Sequence, residues 1–177
     1  MDEKTDTIYA FIDSQNLNLS VQKDIVNDAG VIIYNGWRLD FKRFFIYLKD
    51  KYKVDKAYLF IGCVVGNESL YKHLESIGYK VIYKPTLDFK DGKERITKGN
   101  VDAELVLHAM IEYPCYNKAI IVSGDGDYHC LIEYLEAQKK LSHIMIPNKT
   151  SYSSLLRKYS AYFVYVTDLR GKLEHRK

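Results

Sequence analysis

Four aspartates stand where a folded sheet would bring them together. Asp13 directly follows the apolar run "YAFI". Asp125 and Asp127 end "IIVSGDGD", with Gly124 and Gly126 on either side of Asp125. Like charges two residues apart repel and raise each other's pKa, so a turn must aim them at water or a cation must sit among them. Asp102 opens the helical pattern "VDAELVLHAMIEY". Carboxylates with water suit magnesium or manganese, which retain several waters and take phosphate oxygens as their other ligands. The expected metal-ligating set is therefore Asp13, Asp102, Asp125 and Asp127. Asn16, three residues after Asp13, is expected to orient Asp13 or a water from the start of the next helix.

Each acid has an ordinary explanation taken alone. Asp102 favours a helix N-terminus, an effect worth under about 1 kcal/mol. Asp125 fits a turn between glycines, and Asp127 fits the N-cap of the following helix. Asp13 has the weakest such explanation, having no turn glycine and beginning no charge run. One shared site accounts for all four better than four separate reasons.

Other chemistries fit less well. An EF-hand loop starting at Asp125 needs glycine at its sixth position, where Cys130 stands. No HExxH spacing supports zinc, so His108 and His129 are expected to pack. Neither GxxxxGK[ST] nor GxGxxG occurs, which argues against an NTPase or a dinucleotide enzyme. "DSQN" lacks the DxDx[TV] start of phosphatases with an aspartyl nucleophile.

Positioning the acids requires strands that end at one edge. Apolar strand patterns at 7–13, 56–65, 79–85, 118–124, 141–147 and 162–169 alternate with helical patterns at 37–52, 67–78, 101–113, 128–140 and 151–160. Asn67 is an N-cap candidate, and Gly78 closes the same helix. Continuous apolar strands alternating with helices predict an α/β fold: a doubly wound, mainly parallel sheet with helices on both faces. In such sheets ligands bind outside the carboxyl ends of the strands, where strand order reverses. The common order makes the strands ending at Asp13 and Asp125 neighbours there. No linker or repeat interrupts the pattern, so residues 1–177 read as a single domain. The polar segment 86–100, "TLDFKDGKERITKGN", reads either as an exposed β-turn connection or as a basic flap beside the site.

Composition limits the alternatives. The chain has 177 residues, of which 47% are hydrophobic and 28% charged, as in globular proteins. The net charge of +3 does not by itself call for a nucleic-acid partner, but clustering the acids would leave the remaining surface more basic. The 16 tyrosines suit half-wet strands and interfaces, and a minority suit base stacking. Three cysteines without a CxxC pair predict neither a disulfide framework nor structural zinc. No apolar signal region opens the chain and no stretch reaches membrane-spanning length, so a reducing, cytoplasmic setting is expected.

Four blocks of the chain resemble the NYN domain family, the LabA-like branch of the PIN-like ribonuclease superfamily. They are "YAFIDSQNL", "KGNVDAELVLHAM", "IIVSGDGDYHCLI" and "SSLLRKYSAYFVYV", spanning residues 8 to 167. The third, similar to a Ser-Gly-Asp-x-Asp-Phe motif, is the most specific. The resemblance implies a PIN-like, Rossmannoid fold and metal-dependent cleavage of RNA, with Asp13, Asn16, Asp102, Asp125 and Asp127 as catalytic residues. Ser14 replaces a common glycine and Tyr128 a usual phenylalanine. His108 and Ala161 stand where relatives often carry acids, which affects the outer metal shell rather than the core acids.

The expected activity is a magnesium- or manganese-dependent ribonuclease. Asp125 is expected to contact metal directly and Asp127 through a water. Ser123 is expected either to hydrogen-bond phosphate or to cap the strand end. Lys93, Arg95 and Lys98 are expected to contact the RNA backbone. Arg38, Lys42 and Arg43 form another basic group, which the solvated face of a helix explains as well. RNA is the expected partner, with no membrane, and two copies pairing into a homodimer would build a groove. The alternatives are a non-catalytic RNA- or protein-binding module and another metal-dependent phosphoesterase. Nothing in the acids distinguishes RNA from DNA, since they do not read the 2′-hydroxyl.

Overall fold

The structure is a computed structural model that describes residues 6–85, 87–91, 94–98 and 101–176, with 87–91 and 94–98 described as backbone only. Its centre is a six-stranded sheet built from β1 (Ile8–Asp13), β4 (Val54–Cys63), β5 (Lys80–Pro85), β8 (Lys118–Val122), β9 (Leu141–Ile146) and β10 (Phe163–Tyr165). The strand order is β10-β9-β8-β1-β4-β5, and every neighbouring pair is parallel. Strand order therefore reverses between β1 and β8, as the doubly wound reading requires.

The continuous apolar strands explain this arrangement. From Tyr9 to Asp13 every residue of β1 is buried, and Ala119–Val122 of β8 are fully buried. Only a strand covered on both faces can bury consecutive side chains. Tyr9, Phe11, Ala119 and Ile121 face one cluster, made with Leu105 and Ala109 of α4 (Asp102–Ile111) and Leu131, Ile132 and Leu135 of α5 (His129–Ala137). Ala10, Ile12, Ile120 and Val122 face the other. That second cluster takes Leu17 and Val21 from α1 (Ser14–Gln22), Phe44 and Leu48 from α2 (Phe41–Tyr52), and Leu74 from α3 (Glu68–Ile77).

Two alignments follow for the site. Ile12 pairs with Val122, so Asp13 and Ser123 finish their strands at the same level. Asp13 also shares the parity of Tyr9 and Phe11, which directs it toward the α4 and α5 face.

Several elements differ from the sequence reading. Between Asp13 and Trp37 the sequence suggests only a helix-start turn at Asn16. The structure has α1 there, followed by an antiparallel pair, β2 (Ile25–Val26) and β3 (Ile32–Tyr34). The signal of α1 is weak because "SQNLNLSVQ" buries only Ser14, Leu17 and Val21. The expected helix at 151–160 is a 3₁₀ helix, Ser154–Tyr162, with a kink at Tyr159. The last strand stops at Tyr165 and gives way to a 3₁₀ turn and α6 (Arg170–Leu173). The segment read as a loop holds an antiparallel pair, β6 (Leu87–Asp91) and β7 (Glu94–Lys98). Gly78 does close α3, with φ of 120°.

Gly124 and Gly126 also behave differently from expectation. Glycines flanking Asp125 suggest a sharp turn, yet neither has a positive φ. Crowding explains them instead. A Cβ on Gly124 would lie 3.2 Å from Tyr152 Cβ, and one on Gly126 would strike the Ser153 hydroxyl, with Ser153 Cβ at 2.9 Å. Ser153 N–H donates to the Gly124 carbonyl at 2.9 Å, which pins the 152–155 segment against this loop. Gly126→Ala should therefore push the two segments apart and cost about 1–3 kcal/mol, the scale of overpacking a filled site. Denaturant unfolding measures it, and unchanged stability would show that the contact yields freely.

Candidate active site

The site is assembled from the ends of β1 and β8 and the start of α4. Asp13 is the N-cap of α1, its Oδ1 accepting from Asn16 N–H at 2.9 Å. This is the ordinary role the sequence seemed not to offer, and an N-cap carboxylate needs no turn glycine. The Asn16 side chain crosses to β8, where its Oδ1 accepts from Gly124 N–H at 2.9 Å. Asn16 thus laces together the two strand ends that carry Asp13 and Asp125. Ser123 is 1% exposed, and its Oγ accepts from Asp125 N–H at 3.1 Å, so it caps the strand end.

Asp125 caps a short 3₁₀ turn, Gly126–Tyr128, its Oδ1 accepting from Asp127 N–H at 3.0 Å. Asp102 is the first residue of α4. Carboxylate oxygens of Asp102, Asp125 and Asp127 all lie within 4.8 Å of one another. Asp102 and Asp125 are half-buried and Asp127 is exposed. Oxygen ligands around magnesium at about 2.1 Å stand roughly 3–4 Å apart, so small side-chain adjustments fit these three to one cation. Repulsion from Asp125 first, then Asp102, raises the pKa of Asp127 above its ordinary 3.8. The donor set therefore fits a hard cation.

Asp13 sits behind this triad, 5% exposed. Its link to the triad is Tyr128, a fully buried side chain whose hydroxyl lies 3.0 Å from Asp13 Oδ2 and 2.7 Å from Asp102 Oδ1. A phenol has one proton to donate, so it cannot satisfy two carboxylates at once. Burial, chiefly, raises the pKa of Asp13; the Asn16 and Tyr128 hydrogen bonds oppose this, and the Asp102 and Asp125 charges add to it. Burial likewise pushes the Tyr128 hydroxyl well up, so it stays protonated as a donor.

The sequence marked Tyr128 only as a replacement for phenylalanine; no spacing rule reveals that its hydroxyl bridges two acids. Of the remaining expectations, Lys93 lies outside the described residues, and Arg95 and Lys98 are described only as backbone of β7. His129 Nδ1 donates to the Gly126 carbonyl at 3.1 Å, a packing role. His108 packs with its ring centroid 5.7 Å from that of Phe60.

The NYN domain model matches residues 7–168. The chain belongs to the NYN domain family, a PIN-like nuclease family. It is similar to the "Low amplitude and bright protein LabA" of Synechococcus elongatus, 27% identical over 93% of this chain and 86% of that protein. A crystal structure of a protein of unknown function from Vibrio parahaemolyticus superposes with a TM-score of 0.72 at 21% identity. That match covers 98% of this chain and 99% of the other, and it supports the fold.

Two outcomes follow from the buried acid. The raised pKa of Asp13 means that the metal-free native state holds its proton to higher pH than the unfolded chain does. The contribution of Asp13 to stability should therefore be fullest below its ordinary value of 3.8 and be lost as pH rises through the raised value, a fall that Asp13→Asn should remove. Asp13→Asn keeps the cap acceptor and removes the charge, so melting without metal at pH 7 should rise by about 2–4 °C for each kcal/mol regained. Tyr128→Phe leaves Asp13 without its side-chain donor and should cost about 1–3 kcal/mol. Calorimetry across pH checks both; a lower melting temperature for Asp13→Asn would show that its charge is already compensated.

Proposed function

We propose that this protein is a magnesium- or manganese-dependent ribonuclease that hydrolyses RNA phosphodiester bonds at the Asp102, Asp125 and Asp127 cluster. The observation that carries the reading is the convergence of these carboxylates within 4.8 Å in a chain of a nuclease family. A divalent cation, when bound, supplies Lewis acidity and lowers the pKa of coordinated water. Asp102, Asp125 and Asp127 would hold that cation at the carboxyl edge of the sheet. Asp13 contributes from behind, through the Tyr128 hydroxyl, by fixing where Asp102 points. Asn16 and Ser123 hold the two strand ends in register. In the net reaction, water adds to phosphorus, one P–O ester bond breaks, and the leaving oxygen takes a proton.

Lys93, Arg95 and Lys98 are proposed as contacts to the RNA backbone. Cys63, Cys115 and Cys130 are all exposed and lie on different elements, which fits a reducing cytoplasmic setting. Among the described residues no helix is long and apolar enough to cross a membrane.

The test is cleavage of a short single-stranded RNA by the purified protein with Mn2+ or Mg2+. Activity should vanish with EDTA and fall at least about a hundredfold in Asp125→Asn and Asp102→Asn, the scale of losing one electrostatic group from such a site. Wild-type rates in both folded variants would rule the reading out. Binding of RNA without any cleavage would favour a non-catalytic module, and cleavage of small phosphate esters but not RNA a different phosphoesterase.

A further inference from the structure

The same sheet edge carries a second feature on the opposite face. A cavity of about 520 Å3 opens between α1, the start of α2, the end of β4 and α3. Its wall begins at Ser14, the residue after Asp13, and runs to Ile61, Gly62 and Val64 at the end of β4. Leu59, Ile61 and Leu74 give it an apolar floor.

Its polar groups have an unusual character. Gln15, Asn18 and Gln22 line it from α1 at spacings of three and four, the repeat that puts side chains on one helix face. Gln22 Nε2 donates to Asn18 Oδ1 at 2.9 Å, a bond that uses neither the Asn18 amide N–H groups nor the Gln22 side-chain carbonyl. Asn67 stands at the N-cap of α3 yet makes no side-chain cap bond, and it too lines the cavity. Among the described residues no acid lines the cavity, and Arg38 is the one charged side chain that does. The neighbouring Asp40 is occupied by Arg43 at 3.7 Å and by His175 at 3.4 Å. Arg38 is exposed and makes no ion pair among the described residues.

We propose that this cavity is a nucleotide subsite that receives a base of the RNA strand whose phosphate backbone passes the acidic cluster. Carboxamides offer donor and acceptor side by side, the pattern that pairs with a base edge. The apolar floor takes the base's π-face, and Arg38 takes a phosphate of the same strand. The volume falls within the range of small-ligand sites. Ser14 places the cavity one residue from Asp13, at the strand ends where α/β sheets bind ligands. The proposal rests on the ribonuclease reading only for the strand's passage across the acids.

Binding without metal tests it. Fluorescence anisotropy in EDTA would follow a labelled single-stranded pentanucleotide RNA on Asp125→Asn, and on that background with Asn18→Ala or Arg38→Ala added. Both added substitutions lie on exposed or half-exposed helix and loop positions, and circular dichroism checks their folding. Affinity should fall about tenfold in each. An abasic pentanucleotide should bind more weakly and lose nothing further on Asn18→Ala, whereas Arg38→Ala should weaken it still. Free 5′-nucleotides, followed by saturation-transfer NMR, should bind wild type more weakly than the strand does. Undiminished binding of the base-bearing RNA to both variants would overturn the subsite. If RNA binding responds to these substitutions while wild type cleaves nothing, the subsite stands and the nuclease reading falls.

Discussion

Negative charge held close together at the carboxyl edge of β1 and β8 is the constraint on which the rest of this structure depends. Three carboxylates approach within 4.8 Å, and a fourth, Asp13, is buried just behind them. A chain optimised for stability alone would not collect them there. The fold tolerates the crowding through local hydrogen bonds to Asp13, Asp102 and Asp125. Asn16 N–H takes Asp13, Asp127 N–H takes Asp125, and the Tyr128 hydroxyl lies between Asp13 and Asp102. These bonds orient the acids without neutralising them. The remaining charge is available to a cation, which is the physical reason a metal centre explains the site better than capping alone.

The surrounding architecture serves that arrangement. Parallel pairing of β1 with β8 puts Asp13 and Ser123 at one level, and the Asn16–Gly124 hydrogen bond locks the two ends. Strand parity sends Asp13 toward α4 and α5, while α1 to α3 cover the other face. The edge is thus divided: acids on one side, an amide-lined cavity with Arg38 on the other. A strand of alternating phosphates and bases is the polymer whose chemistry suits both sides.

Much of this was legible in the amino-acid sequence because it follows from periodicity. Buried runs such as "YAFI" and "AIIV" identify central parallel strands, and their order places the acids together. The positions of Asp102, Asp125 and Asp127 follow from strand and helix ends. Other features rest on side-chain reach and packing, which spacing does not encode. The hydroxyl of Tyr128 that joins Asp13 to Asp102 is one of them. Gly124 and Gly126 looked like turn residues, and their reason is the close approach of Tyr152 and Ser153. The amide face of α1 was invisible for a related reason: a helix with few buried residues has little apolar rhythm to read.

The most direct test is a crystal soaked in manganese and measured at an energy where manganese scatters anomalously. The expected result is an anomalous peak bonded to oxygens of Asp102, Asp125 and Asp127, with Asp13 still hydrogen-bonded to Tyr128 behind them. A saturated soak in which no peak forms among these carboxylates, or in which manganese binds only elsewhere, would contradict the account.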